Sequence, residues 1–235
     1  MSLDLQRDQV AARALRVGVD PARPAPGILL DAAHIIRQGG VLAYPTETFY
    51  GLAADPESAG AIARLFKLKG RDGMRALILL VARAEQAHDL ALISGATLRW
   101  FEKLAAAFWP GPLTLVLPAR PARHRPALAG GETVAIRMSS HPVALQLTRA
   151  VGGPITSTSA NPSGGLPATR ADGIDPALAA GLDLILDAGP TPGGKASTLL
   201  DLSGSRPAIL RDGPISQDQI ASILLVRPVS PATVA

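Results

Sequence analysis

From Ile28 onward, short apolar runs alternate with longer segments whose apolar residues recur every third or fourth position. No other feature constrains the fold as strongly. Short apolar runs bounded by turn residues suit buried strands, and the three-to-four recurrence suits helices that bury one face. Ile28–Ile36 reads as a helix stopped by Gly39-Gly40, and Val41–Tyr44 as a buried strand ended by Pro45. Further helices are expected over Glu57–Leu68, Thr97–Phe108, Pro142–Val151 and Gln217–Leu225. Strands are expected at Ala76–Val81, Leu113–Leu117, Val134–Met138, Ile155–Thr158, Leu184–Asp187, Thr198–Leu202 and Ala208–Leu210. Interleaving of this kind implies the α/β (α+β) class, with a sheet covered by helices.

No internal repeat or linker breaks this pattern, so one domain is expected over residues 27–226. Residues 1–26, charged and then rich in Pro and Ala, read as an N-terminal arm, and 227–235 as a C-terminal tail. The longest apolar run, Ala76–Ala82, is too short to span a bilayer, and the N-terminus lacks the apolar core of a signal peptide. The chain contains no cysteine, which excludes disulfides, thiolate metal sites and cysteine nucleophiles. A cytoplasmic protein without membrane contact is the expectation.

The formal charge of +4 and pI near 10.0 suggest an anionic partner without naming it. Aromatic residues make up 3% of the chain, which disfavours recognition of single-stranded RNA by base stacking. Phosphate on a small molecule fits at least as well.

Several familiar patterns fail on inspection. Gly189–Ser197, GPTPGGKAS, approaches a phosphate-binding P-loop, but Ala196 stands where a Ser or Thr must reach magnesium, and two prolines remove backbone donors. Asn161-Pro162-Ser163 is excluded as a glycosylation site by its proline. His34, His88, His124 and His141 lack metal-ligand spacing, and no G-x-S-x-G elbow occurs.

Polar groups set within apolar strands are more informative, because alternate residues of an extended chain share a face. In TVAIR, Thr133, Ala135 and Arg137 point one way while Val134, Ile136 and Met138 point the other. An arginine on an otherwise apolar strand suits a carboxylate or phosphate, although a surface ion pair is the plainer reading. In ITSTSAN, Ser157 and Ser159 share a face, and the following NPSGG must turn. Such a loop offers hydroxyls, an amide and backbone N–H groups to anionic oxygens, or forms an ordinary polar turn. In YPTETFYGL, Thr46 and Thr48 share one side and Glu47 takes the other if the chain is extended. In LKGR, Lys69 and Arg71 end a helix, where cations are favourable for dipole reasons alone. Only four lysines occur in the chain, which makes the Lys67/Lys69 pair unusual by composition.

Taken in order, YPTETFYGLAAD, LFKLKGR, FWPGPLTLVL, VAIR followed by HP, ITSTSANPSG, DAGPTPGGKASTLLDL and ILRDG resemble the YrdC-like family of threonylcarbamoyl-AMP synthases, from Tyr44 to Gly213. The resemblance implies a YrdC-like fold, a twisted mixed sheet flanked by helices around a concave basic cavity. It implies synthesis of threonylcarbamoyl-adenylate from L-threonine, bicarbonate and ATP with release of pyrophosphate, Mg2+ accompanying the nucleotide. The product serves tRNA threonylcarbamoyladenosine modification through a downstream threonylcarbamoyl-transferase complex. By resemblance, Thr46, Arg137 and Ser157 hold L-threonine, while Lys69, Arg71, Thr133, Ser159, Asn161 and Arg211 line the ATP site. No catalytic side chain is implied, since the threonine amine and then the carbamate oxygen are the nucleophiles. Ala76, Leu80, Ser139, Ala188, Lys195 and Ala196 depart from residues common in the family, three of them in the stretch 188–197 beside the nucleotide site that the resemblance implies. An RNA-binding paralogue of the same fold, contacting RNA weakly through the basic cavity, is the alternative. A carbamoyl-transfer module of hydrogenase maturation shares the fold but usually sits in a longer chain.

Overall fold

The computed structural model describes residues 14–70, 76–121 and 125–229, and opens on strand β1 (Leu15–Gly18). Helix α1 (Pro26–Arg37) starts on a proline, whose fixed φ suits a first helical turn. It stops before Gly39, whose φ of 82° lies in the left-handed region that favours glycine. Strands β2 (Leu42–Pro45) and β3 (Tyr50–Ala53) are buried throughout and pair antiparallel across a turn at residues 46–49. Helix α2 (Ala59–Leu68) is capped by the Ser58 hydroxyl, which accepts from the Ala61 N–H, and buries Ala61, Ile62, Leu65 and Phe66.

Strand β4 (Ile78–Leu80), the short helix α3 (Ala87–Leu90) and helix α4 (Gly95–Phe108) precede strand β5 (Leu113–Pro118). A helical turn α5 (Arg125–Leu128) leads to β6 (Thr133–Arg137), and helix α6 (Pro142–Val151) follows. Then come β7 (Ile155–Thr156), β8 (Thr158–Ser159), the short helix α7 (Pro176–Ala180) and β9 (Leu184–Asp187). The described chain closes with β10 (Thr198–Asp201), β11 (Ala208–Arg211) and helix α8 (Gln217–Leu224).

Among the described residues these strands divide between two mixed sheets, ordered β1-β9-β2-β3-β8 and β11-β10-β5-β6-β4-β7. Strand β2 shows why both faces of the first sheet are covered. Its Leu42 and Tyr44 pack with Leu29 and Ile36 of α1 and Val143 and Leu147 of α6, while Ala43 joins the larger cluster with Ile62, Leu65 and Leu104. In the second sheet Leu113, Leu115, Val134 and Ile136 turn into that same larger cluster. Burying both faces in this way removes most of the apolar surface from water, the main driving force for the arrangement.

Several expectations change in detail. Ile155–Thr158 is not one strand: β7 pairs with β4 in the second sheet and β8 with β3 in the first, so the chain crosses between sheets at Ser157. Thr156 fixes this crossing, its hydroxyl donating to Leu52 O at 3.1 Å and accepting from Ala54 N at 2.9 Å. Residues 46–49 are not extended, because Thr46 N–H closes a turn onto Phe49 O. Within the segment read as an arm, Leu15–Gly18 pairs in parallel with β9 and Arg16 bonds Asp187 at 2.6 Å. Within the segment read as a tail, Val229 bridges Ala208. Strand β3 and the short helices α3, α5 and α7 had no expectation, being too brief for a hydrophobic period to register.

Candidate functional site

The crossing at Ser157 leaves a cavity of about 570 Å3 between the turn at 46–49, the edge of β6 and the loop that follows β8. The alternation along β6 sets one wall. Thr133, Ala135 and Arg137 line the cavity, while Val134 and Ile136 enter the core. Ser157, Thr158, Ser159 and Asn161 form a second wall, with Ser157 N–H anchored on Ile78 O at 2.7 Å. Thr46 and Thr48 supply a third, their hydroxyls 3.1 Å apart. The Thr46 hydroxyl is committed to its own turn, donating to Phe49 O at 2.7 Å.

Two guanidinium groups face this space. Arg137, 4% exposed, pairs through Nη2 with Glu47 Oε2 at 3.2 Å, and the Ser139 hydroxyl donates to the same oxygen. Arg211 binds only neutral acceptors among those described: its Nε and Nη2 reach Ser197 O at 3.1 and 2.9 Å, and Nη2 lies 3.1 Å from Ser197 Oγ. The Ser197 hydroxyl is 2.8 Å from that of Thr114, which fixes it in turn. Burial lowers the Arg211 pKa from its ordinary value, and the like charge of Arg137 adds to the effect. Arg211, charged and held only by neutral groups beside a second guanidinium, makes a site that gains from an anion.

Of the residues singled out in the sequence, Thr46, Thr133, Arg137, Ser157, Ser159, Asn161 and Arg211 meet on this one cavity. Asn161 spends its amide N–H groups on Pro162 O and Gly165 O, each at 2.7 Å, and its buried Oδ1 has no partner. Lys69 stands apart from the described cavity wall. It is 2% exposed, and its ammonium lies beneath the loop, donating to Ser159 O and Asn161 O at 2.5 and 2.7 Å. Arg71, together with Arg75, lies outside the described residues. In the 188–197 stretch Ala196 and Ser197 line the cavity and Lys195 is exposed to solvent.

Glu47, Ser139, Ser197 and Thr114 support the two arginines, a role the sequence assigned to none of them. Glu47 stays off the wall that Thr46 and Thr48 line, as the alternation suggests, yet reaches Arg137 and Ser139 from that side.

The Sua5, YciO and YrdC family model, described as telomere recombination, matches residues 34–213. The chain belongs to this family. A Bacillus subtilis threonylcarbamoyl-AMP synthase is 39% identical over 83% of this chain, and the matched region covers 56% of that relative. The protein of the same description from Halorhodospira halophila is 42% identical over 73% of this chain and 92% of its own length. The crystal structure of Pyrococcus abyssi Sua5 complexed with L-threonine superposes with a TM-score of 0.85 at 35% identity, covering 92% of this chain and 62% of that one. This family member therefore spans little more than half of the Bacillus relative and nearly all of the Halorhodospira one.

Proposed function

We propose that the chain is a threonylcarbamoyl-AMP synthase, joining L-threonine, bicarbonate and ATP with release of pyrophosphate. The observation that carries this reading is the single cavity that gathers Thr46, Arg137 and Ser157 with Thr133, Ser159, Asn161 and Arg211. Its volume, about 570 Å3, falls in the range usual for small-molecule sites. Family relatives named for this activity and the threonine complex of a family structure support it.

Around Arg137, the guanidinium meets the threonine carboxylate and Ser157 offers its hydroxyl to the amino acid, while Thr46, its hydroxyl held in the turn, shapes the wall beside them. Arg211 faces the nucleotide phosphates while Thr133, Ser159 and the free Asn161 Oδ1 supply hydrogen bonds. The threonine ammonium gives up one proton to solvent, the free amine attacks the bicarbonate carbon, and water leaves as the carbamate forms. The carbamate oxygen then attacks the α-phosphorus as the bond to the β-phosphate breaks and pyrophosphate departs. No side chain becomes a nucleophile, so the protein contributes positioning and charge neutralisation. Magnesium would enter on the nucleotide, where it neutralises phosphate charge. Among the described residues no cluster of three or more His, Asp or Glu side chains is placed to hold an ion by itself, which suits a metal bound chiefly through phosphates.

The product would pass to a threonylcarbamoyl-transferase complex acting on tRNA, in the cytoplasm. No helix of the described residues is long and apolar enough to cross a membrane. Pyrophosphate release from ATP and Mg2+, with threonine and bicarbonate omitted in turn, tests the reading. Release that requires both supports it, and release from a folded preparation that requires neither overturns it.

A further inference from the structure

Arg137 and Arg211 face one cavity but are held by different chemistry. Arg211 rests on a carbonyl and a hydroxyl, which leave its positive charge uncompensated. Arg137 is paired with Glu47, a carboxylate that is itself nearly buried and whose Oε1 has no partner. A buried carboxylate beside an anion site is costly to desolvate and weakens the pull of its arginine on anions. The surroundings nevertheless secure it. Ser139, 1% exposed, donates to Glu47 Oε2 and accepts from the His141 N–H at 3.2 Å, which ties the carboxylate to the start of α6. Glu47 also belongs to the turn that carries Thr46 and Thr48, so the same three residues set the position of two cavity hydroxyls and of the guanidinium.

We propose that Glu47, held by Ser139, is a positioning residue that fixes the Arg137 guanidinium and makes that end of the cavity net neutral, suited to a zwitterionic amino acid rather than to phosphate. The inference deepens the synthase reading and rests on it for the identity of the amino acid. An arginine with an ion partner presents its remaining N–H groups in one direction, and its attraction for polyanions is offset by the partner's charge. The ATP phosphates are thereby left to Arg211, whose described partners are the neutral Ser197 carbonyl and hydroxyl. The neutral amino acid carries one carboxylate and one ammonium, and so matches a paired site without a net charge to bury.

The test is a kinetic split on Glu47→Ala, Glu47→Gln and Ser139→Ala, following pyrophosphate release with threonine and ATP varied separately. Loss of one charge-assisted contact predicts a rise in the threonine KM of about tenfold to a hundredfold in Glu47→Ala, with the ATP KM within about twofold of the parent. Glu47→Gln keeps an acceptor for Nη2 and is expected to rescue part of the loss. Because Ser139 acts through Glu47, adding Ser139→Ala to Glu47→Ala is expected to change the threonine KM little further. A merely structural role would instead lower kcat and raise both KM values together, which overturns the proposal. Arginine side-chain NMR gives a readout that needs no substrate. Rotation of the Arg137 guanidinium should be slow in the parent and fast in Glu47→Ala, and equal rates overturn positioning. If the parent protein shows no threonine dependence, the synthase reading fails, and the spectrum still decides whether Glu47 fixes Arg137.

Discussion

The ammonium of Lys69 lies 2.5 Å from the carbonyl oxygen of Ser159 and 2.7 Å from that of Asn161, so the residue that ends α2 holds the cavity loop from beneath. The loop returns the contact, Ser163 N–H donating to Lys69 O at 2.8 Å. A lysine in this place stabilises the wall of the site, and its effect on substrates passes at least in part through the loop.

Lys69→Met should therefore destabilise the protein, since the apolar side chain fills the space but leaves two carbonyls without their donor. The expected loss is about 2 kcal/mol, or roughly 4–8 °C in melting temperature for a chain of this size. Thermal unfolding checks it. An unchanged melting temperature would mean that the ammonium is exchangeable with water and that the loop stands without it.

Arg211→Ala should raise the ATP requirement and spare the threonine requirement, because this guanidinium is held by Ser197 and has no part in the Glu47 pair. One charge-assisted contact predicts a rise in the ATP KM of about tenfold or more. Arg211→Lys should recover little, since an ammonium cannot keep both the Nε and Nη2 bonds to Ser197. Separate titrations of ATP and threonine against pyrophosphate release measure the split, and a matching rise in the threonine KM would count against the assignment.

Thr156→Val probes the crossing between sheets. The two side chains are nearly isosteric, but valine cannot accept from Ala54 N or donate to Leu52 O, both served by a fully buried hydroxyl. Leaving a buried N–H without a partner costs about 1–3 kcal/mol. Denaturant unfolding should show a lower midpoint at unchanged slope, whereas a changed slope would point to an altered unfolded or native ensemble instead.

Much of this architecture is legible in the sequence. Pro142–Val151 and Leu184–Asp187 stand at the bounds that periodicity and punctuation suggest, because each is a continuous element with a clear stop. The alternation in Thr133–Arg137 placed Arg137 on the polar side of its strand for the same reason. What could not be read was tertiary in origin. Ile155–Thr158 looks like one strand until the partners β4 and β3 claim its two ends for different sheets. The role of Glu47 is hidden because its partner Arg137 lies far away in sequence and only the fold brings the two together. Lys69 carries a charge in the sequence but a burial only in the fold, where the loop closes over it. Ser139 and Ser197 are ordinary hydroxyls until an arginine system is assembled around them.

The start of α6 is sensitive to pH through His141. Its Nδ1 accepts from Val143 N–H at 3.2 Å, a cap that only the neutral imidazole can make. Burial pushes its pKa below the ordinary 6.5, and the nearby charge of Glu47 opposes that shift without overcoming it. The folded protein therefore binds this proton less readily than the unfolded chain. The contribution to stability is complete above the unfolded value and is lost as pH falls through the lower, folded one. His141→Asn retains a side-chain acceptor for the cap and does not titrate, so it should flatten this part of the profile. Melting temperatures of both proteins between about pH 7.5 and 5.5 are the measurement, other titrating groups being common to the pair. The parent should lose more stability than the variant toward the acid end. Parallel curves would mean that His141 takes up its proton equally well folded and unfolded, and that the cap at Val143 does not depend on its charge.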